Sequence, residues 1–202
     1  MTFDKIYQYS FLLLSALWIP FPKLGGLSIA LFACVVIFGS IKQKLKFQID
    51  AVFIGFIVLY LLYAFSIFNS ASPQRELPFL EYKLSLFIFP FLFSFRPPQA
   101  IERKKVLDTF VWACVLLGLL YIGNASISYI STGQTQNFHS SWFAYNHHPS
   151  YAAAFFSLAI FYLLDTLKEK SGFHRILSIC LILFLSILHI PLESLAGILM
   201  LV

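Results

Sequence analysis

The sequence predicts an all-α membrane protein: a polytopic bundle of about seven transmembrane helices plus a truncated eighth, with its N-terminus on the cytoplasmic side. Three observations predict it. Of 202 residues, 59% are hydrophobic and 11% charged, where a soluble domain carries about 25% charged residues. Apolar runs of spanning length recur along the whole chain, and its mean hydropathy is +0.82. The basic residues fall almost wholly into alternate polar segments.

A spanning helix needs about 20 mostly apolar residues. The runs cover residues 6–21, 24–41, 51–69, 79–95, 106–130, 149–167 and 175–192. The first is short, and Pro20, Pro22, Gly25 and Gly26 break it from the second. That pair predicts a tight helical hairpin or a partly re-entrant segment. An eighth run opens near Leu195 and stops at Val202, about 12 Å of helix at 1.5 Å per residue. A bilayer core is about 30 Å thick, so the expectation is the N-terminal half of a longer protein: a fragment, a truncated gene or a frameshifted copy. No internal repeat or domain boundary is apparent, and residues 1–202 read as a single transmembrane domain.

Positive charge is retained on the cytoplasmic side. With the N-terminus inside, the inner segments hold Lys5, Lys42, Lys44, Lys46, Arg96, Arg103, Lys104, Lys105, Lys168, Lys170 and Arg175, eleven of the fourteen Lys and Arg. The outer segments keep only Lys23, Arg75 and Lys83. The net charge of +5 therefore reads as membrane orientation, and no nucleic-acid partner is expected. The inner loops read as solvated retention signals with little chemistry. Cys34, Cys114 and Cys180 lie inside apolar runs without CxxC spacing, so all three read as small buried hydrophobes. No cleavable signal peptide is evident.

The polar segment 131–150 falls outside on this topology. It holds no acidic residue and no Lys or Arg, but it contains His139, His147 and His148 among amides and aromatics. Trp142, Phe143 and Tyr145 read as interfacial anchors, and such aromatics with amides also suit a carbohydrate-handling surface. Pro149 sets the start of the next helix. His147 and His148 at that start are either surface cap residues or groups for a phosphate or an acceptor hydroxyl. No neighbouring Asp, Glu or Cys would complete a zinc site, and no cofactor is expected. Arg75 beside Glu76 reads as a solvated pair or as a fork for an anionic headgroup. Lys83 either snorkels to the interface or binds the same kind of anion. Glu193 suits the positive end of a following helix, with Ser194 as its N-cap.

The run Glu81-Tyr-Lys-Leu-Ser-Leu-Phe-Ile-Phe-Pro90, the motif Asn146-His-His-Pro-Ser-Tyr151, the basic inner loops and the Ser194-Leu195-Ala196-Gly197 junction together resemble the N-terminal half of O-antigen ligase and O-antigen polymerase-type membrane proteins. The resemblance implies a polytopic glycosyltransferase that needs no metal. It would move a glycan from an undecaprenyl-diphosphate carrier to a glycolipid acceptor at the outer face of a bacterial inner membrane. The carry-over is limited to His147, His148, Pro149 and Tyr151 as the matched motif, with Ser194 as a flank. Taken with the residues' own reading, His147 and His148 are the candidate catalytic residues, and Arg75, Lys83, Asn146, Tyr151 and Ser194 the candidate substrate-binding residues. The chain departs from the family in two ways. Leu195 stands where the family has a phosphate-binding arginine, and the later outer loop with the family's catalytic histidine lies beyond Val202. His148 is not that histidine's counterpart, and catalysis by this chain alone is not expected. A transporter or flippase-like protein and a non-catalytic membrane scaffold remain the alternatives. Spans almost bare of charge, with Asp108 and Asp165 near the inner ends, argue against transport.

Overall fold

The computed structural model describes residues 3–42, 45–70, 77–78, 80, 83–96, 102–145 and 147–193. The helices are α1 (Phe3–Trp18), α2 (Pro22–Lys42), α3 (Ala51–Phe68), α4 (Ser85–Phe93), α5 (Arg103–Thr132), α6 (Ser140–Ala144), α7 (Pro149–Thr166), α8 (Gly172–Ile187) and α9 (His189–Leu192), with 3₁₀ turns at Thr135–Phe138 and Leu167–Glu169. The one departure from an all-helical chain among the described residues is a two-residue antiparallel ladder. It pairs β1 (Lys46–Phe47) with β2 (Phe95–Arg96), in the register Lys46 to Arg96 and Phe47 to Phe95.

Four helical stretches are long and apolar enough to cross a membrane: Pro22–Lys42, Arg103–Thr132, Pro149–Glu169 and Gly172–Leu192. The shorter of them, at 21 residues, reach about 32 Å. The other expected spans differ. α1 has 16 residues, about 24 Å, because the chain turns at Ile19–Pro20 and restarts with Pro22 at the first position of α2. α3 is a shorter apolar helix, held at its start by Asp50, whose side chain accepts from the Phe53 amide at 2.8 Å. Within the fourth run the helix is α4, nine residues long with Pro90 inside it. The eighth run lies outside the described residues.

The chain forms two compact units, one of residues 1–10 and 30–101, the other of residues 11–29 and 102–202. In the first, α3 packs on α4 through aromatic rings, with Tyr60 5.9 Å from Phe87 and Phe87 stacked 6.0 Å from Phe91. The ladder joins this cluster: the Phe47 ring lies 5.0 Å from Phe95 and 5.4 Å from Phe53. Buried Tyr7 meets Phe32 edge-on at 5.3 Å and donates its hydroxyl to the Phe95 carbonyl at 3.2 Å. The heavy use of Phe, 24 residues, finds its structural outlet here.

In the second unit α5, α7 and α8 pack on one another. The buried α7 side chains Ala152, Phe156, Ala159 and Leu163 recur at helical spacing and form one stripe. The small ones let backbones approach closely, as helices in lipid require. On α5, Gly118 serves the same end: a Cβ there would collide with Leu188 Cδ1 and lie 3.2 Å from Phe184 Cε1. The outward faces stay apolar, with Leu158, Phe161, Leu183 and Ile187 all exposed. Apolar surface on this scale marks contact with a membrane or a partner, and the helix lengths favour the membrane. Of the cysteines expected to be buried, only Cys114 is; Cys34 and Cys180 are exposed, because they fall on outward faces of their helices.

Candidate functional site

The polar end of the second unit is built where α5 stops. Gly133 ends the helix in the left-handed conformation at φ 69°, a backbone state that glycine adopts without strain. Thr132 Oγ1 then accepts from Asn137 Nδ2 at 3.1 Å, folding the chain into the first 3₁₀ turn. α6 follows, then Tyr145 at φ 44°. This is a costly conformation for a residue with a side chain, and it turns the chain so that the His147 amide donates to the Ala144 carbonyl at 3.0 Å.

Two adjacent histidines then take different environments. His148 is exposed and caps α7: its Nδ1 accepts from the Ser150 amide at 3.3 Å, and Pro149 occupies the first helical position. His147 is half-buried. Its ring meets Tyr121 edge-on at 6.1 Å and Phe155 at 6.4 Å. Its Nδ1 is sealed from solvent and has no hydrogen-bond partner, and the same is true of the Tyr121 hydroxyl. Burial pulls the His147 pKa below the ordinary histidine value, while a hydrogen bond with the Ile19 backbone opposes that shift. A neutral imidazole has one nitrogen free to accept. Buried polar atoms nearly always have a partner, so two orphans beside one another mark a place for a water or a ligand hydroxyl.

Near this pair the His189 and His139 side chains have partners. Tyr121 packs on Phe143 at 5.5 Å and on Phe156 at 6.4 Å, and Phe156 packs on His189 at 6.1 Å. His189 Nδ1 lies 3.0 Å from the Leu185 carbonyl and Nε2 lies 3.1 Å from Ser157 Oγ. A carbonyl only accepts, so Nδ1 carries the proton, and in the singly protonated ring Nε2 accepts from the serine hydroxyl. His139 Nδ1 lies 2.6 Å from Glu193 Oε1, tying the loop to the end of α9. Glu193 stands at φ 50° and turns to this histidine.

The structure thus brings together His147, His148 and Tyr151, whose exposed ring lies 5.7 Å from His148. Lys83 lies in the first unit, its Nζ 5.6 Å from the centre of the Tyr63 ring. Arg75, Asn146 and Ser194 are outside the described residues. Of the three aromatics read as interfacial anchors, Trp142 and Tyr145 are exposed, but Phe143 is 2% exposed and belongs to the core, because α6 turns it inward onto Tyr121. Tyr121, Glu193 as a partner of His139, and the Ile19 turn are the groups that sequence patterns miss. Lys23, exposed, stands in the first turn of α2 in the same unit, four residues after Ile19. Among the described residues no group of three or more His, Cys, Asp or Glu is placed to hold a metal.

No family model, no curated protein and no solved structure matches this chain.

Proposed function

We propose that the chain is a multi-pass protein of a bacterial inner membrane with its N-terminus inside, and that it takes part in glycan transfer of the O-antigen ligase-like kind. The donor is a glycan on an undecaprenyl-diphosphate carrier, and the acceptor is a glycolipid at the outer face. One observation carries the reading: His147 presents a buried, unpartnered Nδ1, and its ring lies 6.1 Å from that of Tyr121, whose hydroxyl is equally unpartnered. A neutral imidazole whose pKa burial holds below the ordinary histidine value can serve as a general base. In this reading His147 takes the proton of the acceptor hydroxyl as that oxygen attacks the anomeric carbon, and the carrier diphosphate leaves. The leaving diphosphate gathers negative charge, which a pre-placed cation stabilises; in this reading exposed Lys23 supplies it. His148 holds the start of α7 and does no chemistry.

The test is made with the gene at its own locus. His147→Ala is expected to cut the amount of acceptor carrying glycan at least 100-fold, the usual scale of losing a general base, with the protein still present in the membrane. Lys23→Ala should raise KM for the lipid-linked donor several-fold, and Lys23→Arg should restore it. Unchanged glycan transfer in the His147→Ala cells would remove the histidine from the chemistry and leave the motif a structural cap.

A further inference from the structure

We propose that the opposite, basic end of the second unit holds the headgroup of a zwitterionic, amine-bearing phospholipid. Two clefts of about 580 and 350 Å³ lie there and share Lys104, Glu169 and Lys170 in their walls. The larger cleft is lined by Lys104, Lys170 and His174 with Asp108 and Glu169, and the smaller by Arg103, Lys104 and Lys170 with Asp165 and Glu169. A lining that sets cations and carboxylates side by side suits a ligand that carries both signs a few ångströms apart.

Two of these charged groups are held in place by hydrogen bonds. Lys170 Nζ donates to Ser178 Oγ at 3.0 Å, and Asp108 Oδ1 accepts from the Tyr162 hydroxyl at 2.9 Å, so both charges are anchored to neighbouring helices. Lys104 and Glu169 are exposed and have no hydrogen bond or ion pair among the described residues. Lys104 and Lys170 are the phosphate ligands, and Asp108 and Glu169 receive the ammonium group.

The lining also changes character along the helices. The charged residues stand at the helix ends, while Val111, Trp112, Leu163 and Leu181 continue the larger cleft one to two turns further in. Trp112 is 53% exposed, and an indole at this depth is the usual companion of lipid headgroups. A water-soluble zwitterion would have no use for that apolar floor, whereas an acyl chain would follow it. The inference rests on these helices meeting a bilayer and is independent of the glycan-transfer reading.

The full chain, purified in a mild detergent, is titrated with dihexanoyl-phosphatidylethanolamine, dihexanoyl-phosphatidylglycerol or inorganic phosphate while thermal unfolding is followed. A ligand that binds the folded state alone raises its melting temperature. The ethanolamine lipid should raise it saturably, and the other two should not at the same concentration. Lys104→Gln and Glu169→Gln should each weaken the apparent affinity about tenfold, the scale of losing one charge-assisted hydrogen bond. Both variants should keep the lipid-free melting temperature, since neither side chain is buried. Native mass spectrometry should find one retained ethanolamine lipid on the parent chain and none on either variant. An equal shift with phosphatidylglycerol or with phosphate, no shift at all, or undiminished binding by both variants would each overturn the proposal.

Discussion

His147 and His148 are neighbours in sequence, and the structure gives them different environments. His148 spends its Nδ1 on the Ser150 amide, so His148→Ala should cost about 1 kcal/mol, the worth of an N-cap, read as a lower melting temperature with glycan transfer retained. For His147 the sign follows from burial. Its pKa is held below the ordinary value, so the unfolded chain takes up the proton first as pH falls. The stability tied to His147 is complete above about pH 6.5, falls as the pH drops below that through the folded pKa, and then levels off. Thermal unfolding between pH 7 and pH 5 should therefore destabilise the parent chain more than His147→Gln, which has no group to titrate there. Parallel slopes would mean that the imidazole is as free to protonate in the fold as in the unfolded chain. At this scale the sequence was legible where polarity stood out against grease, as in the HHPSY motif. Tyr121 was not legible, since a tyrosine inside an apolar helix looks like core, and only the fold brings it to His147.

Helix lengths decide which apolar runs become long helices. α2, α5, α7 and α8 were readable because uninterrupted apolar residues leave no alternative to a helix. The limits of α1 come from Pro20 and Pro22, whose breaking effect was visible but whose cost in length was not. The two-residue ladder has no sequence signal, because Lys46-Phe47 and Phe95-Arg96 are too short to show alternation. His139 with Glu193 was hidden for a different reason: the partners are far apart in the chain and each reads as an ordinary surface residue. Packing within the second unit yields a further expectation. Gly118→Val would push a branched side chain into Leu188 and Phe184, and overpacking of this kind costs about 1–3 kcal/mol. Thermal unfolding in detergent should show the loss, while a matched Gly123→Ala change, at a position with nothing within 4 Å of the added Cβ, should not.

Over the whole molecule, one asymmetry organises everything proposed. The second unit has a histidine-rich end without Lys or Arg between residues 131 and 150, and a basic end at Arg103, Lys104 and Lys170. Composition and charge placement made that polarity legible, while the order of residues around His147 needed the fold. Transfer to an acceptor outside the cell requires the histidine-rich end to face outward. The most direct measurement is side-specific labelling in a chain whose Cys34, Cys114 and Cys180 are replaced by alanine. A single cysteine is placed either at Gln136, exposed in the 3₁₀ turn, or at Lys104, exposed at the start of α5. A membrane-impermeant maleimide applied to intact spheroplasts should label Gln136→Cys at once and Lys104→Cys only after the membrane is opened. Labelling of Lys104→Cys from outside with Gln136→Cys protected would place His147 in the cytoplasm and contradict the proposed function.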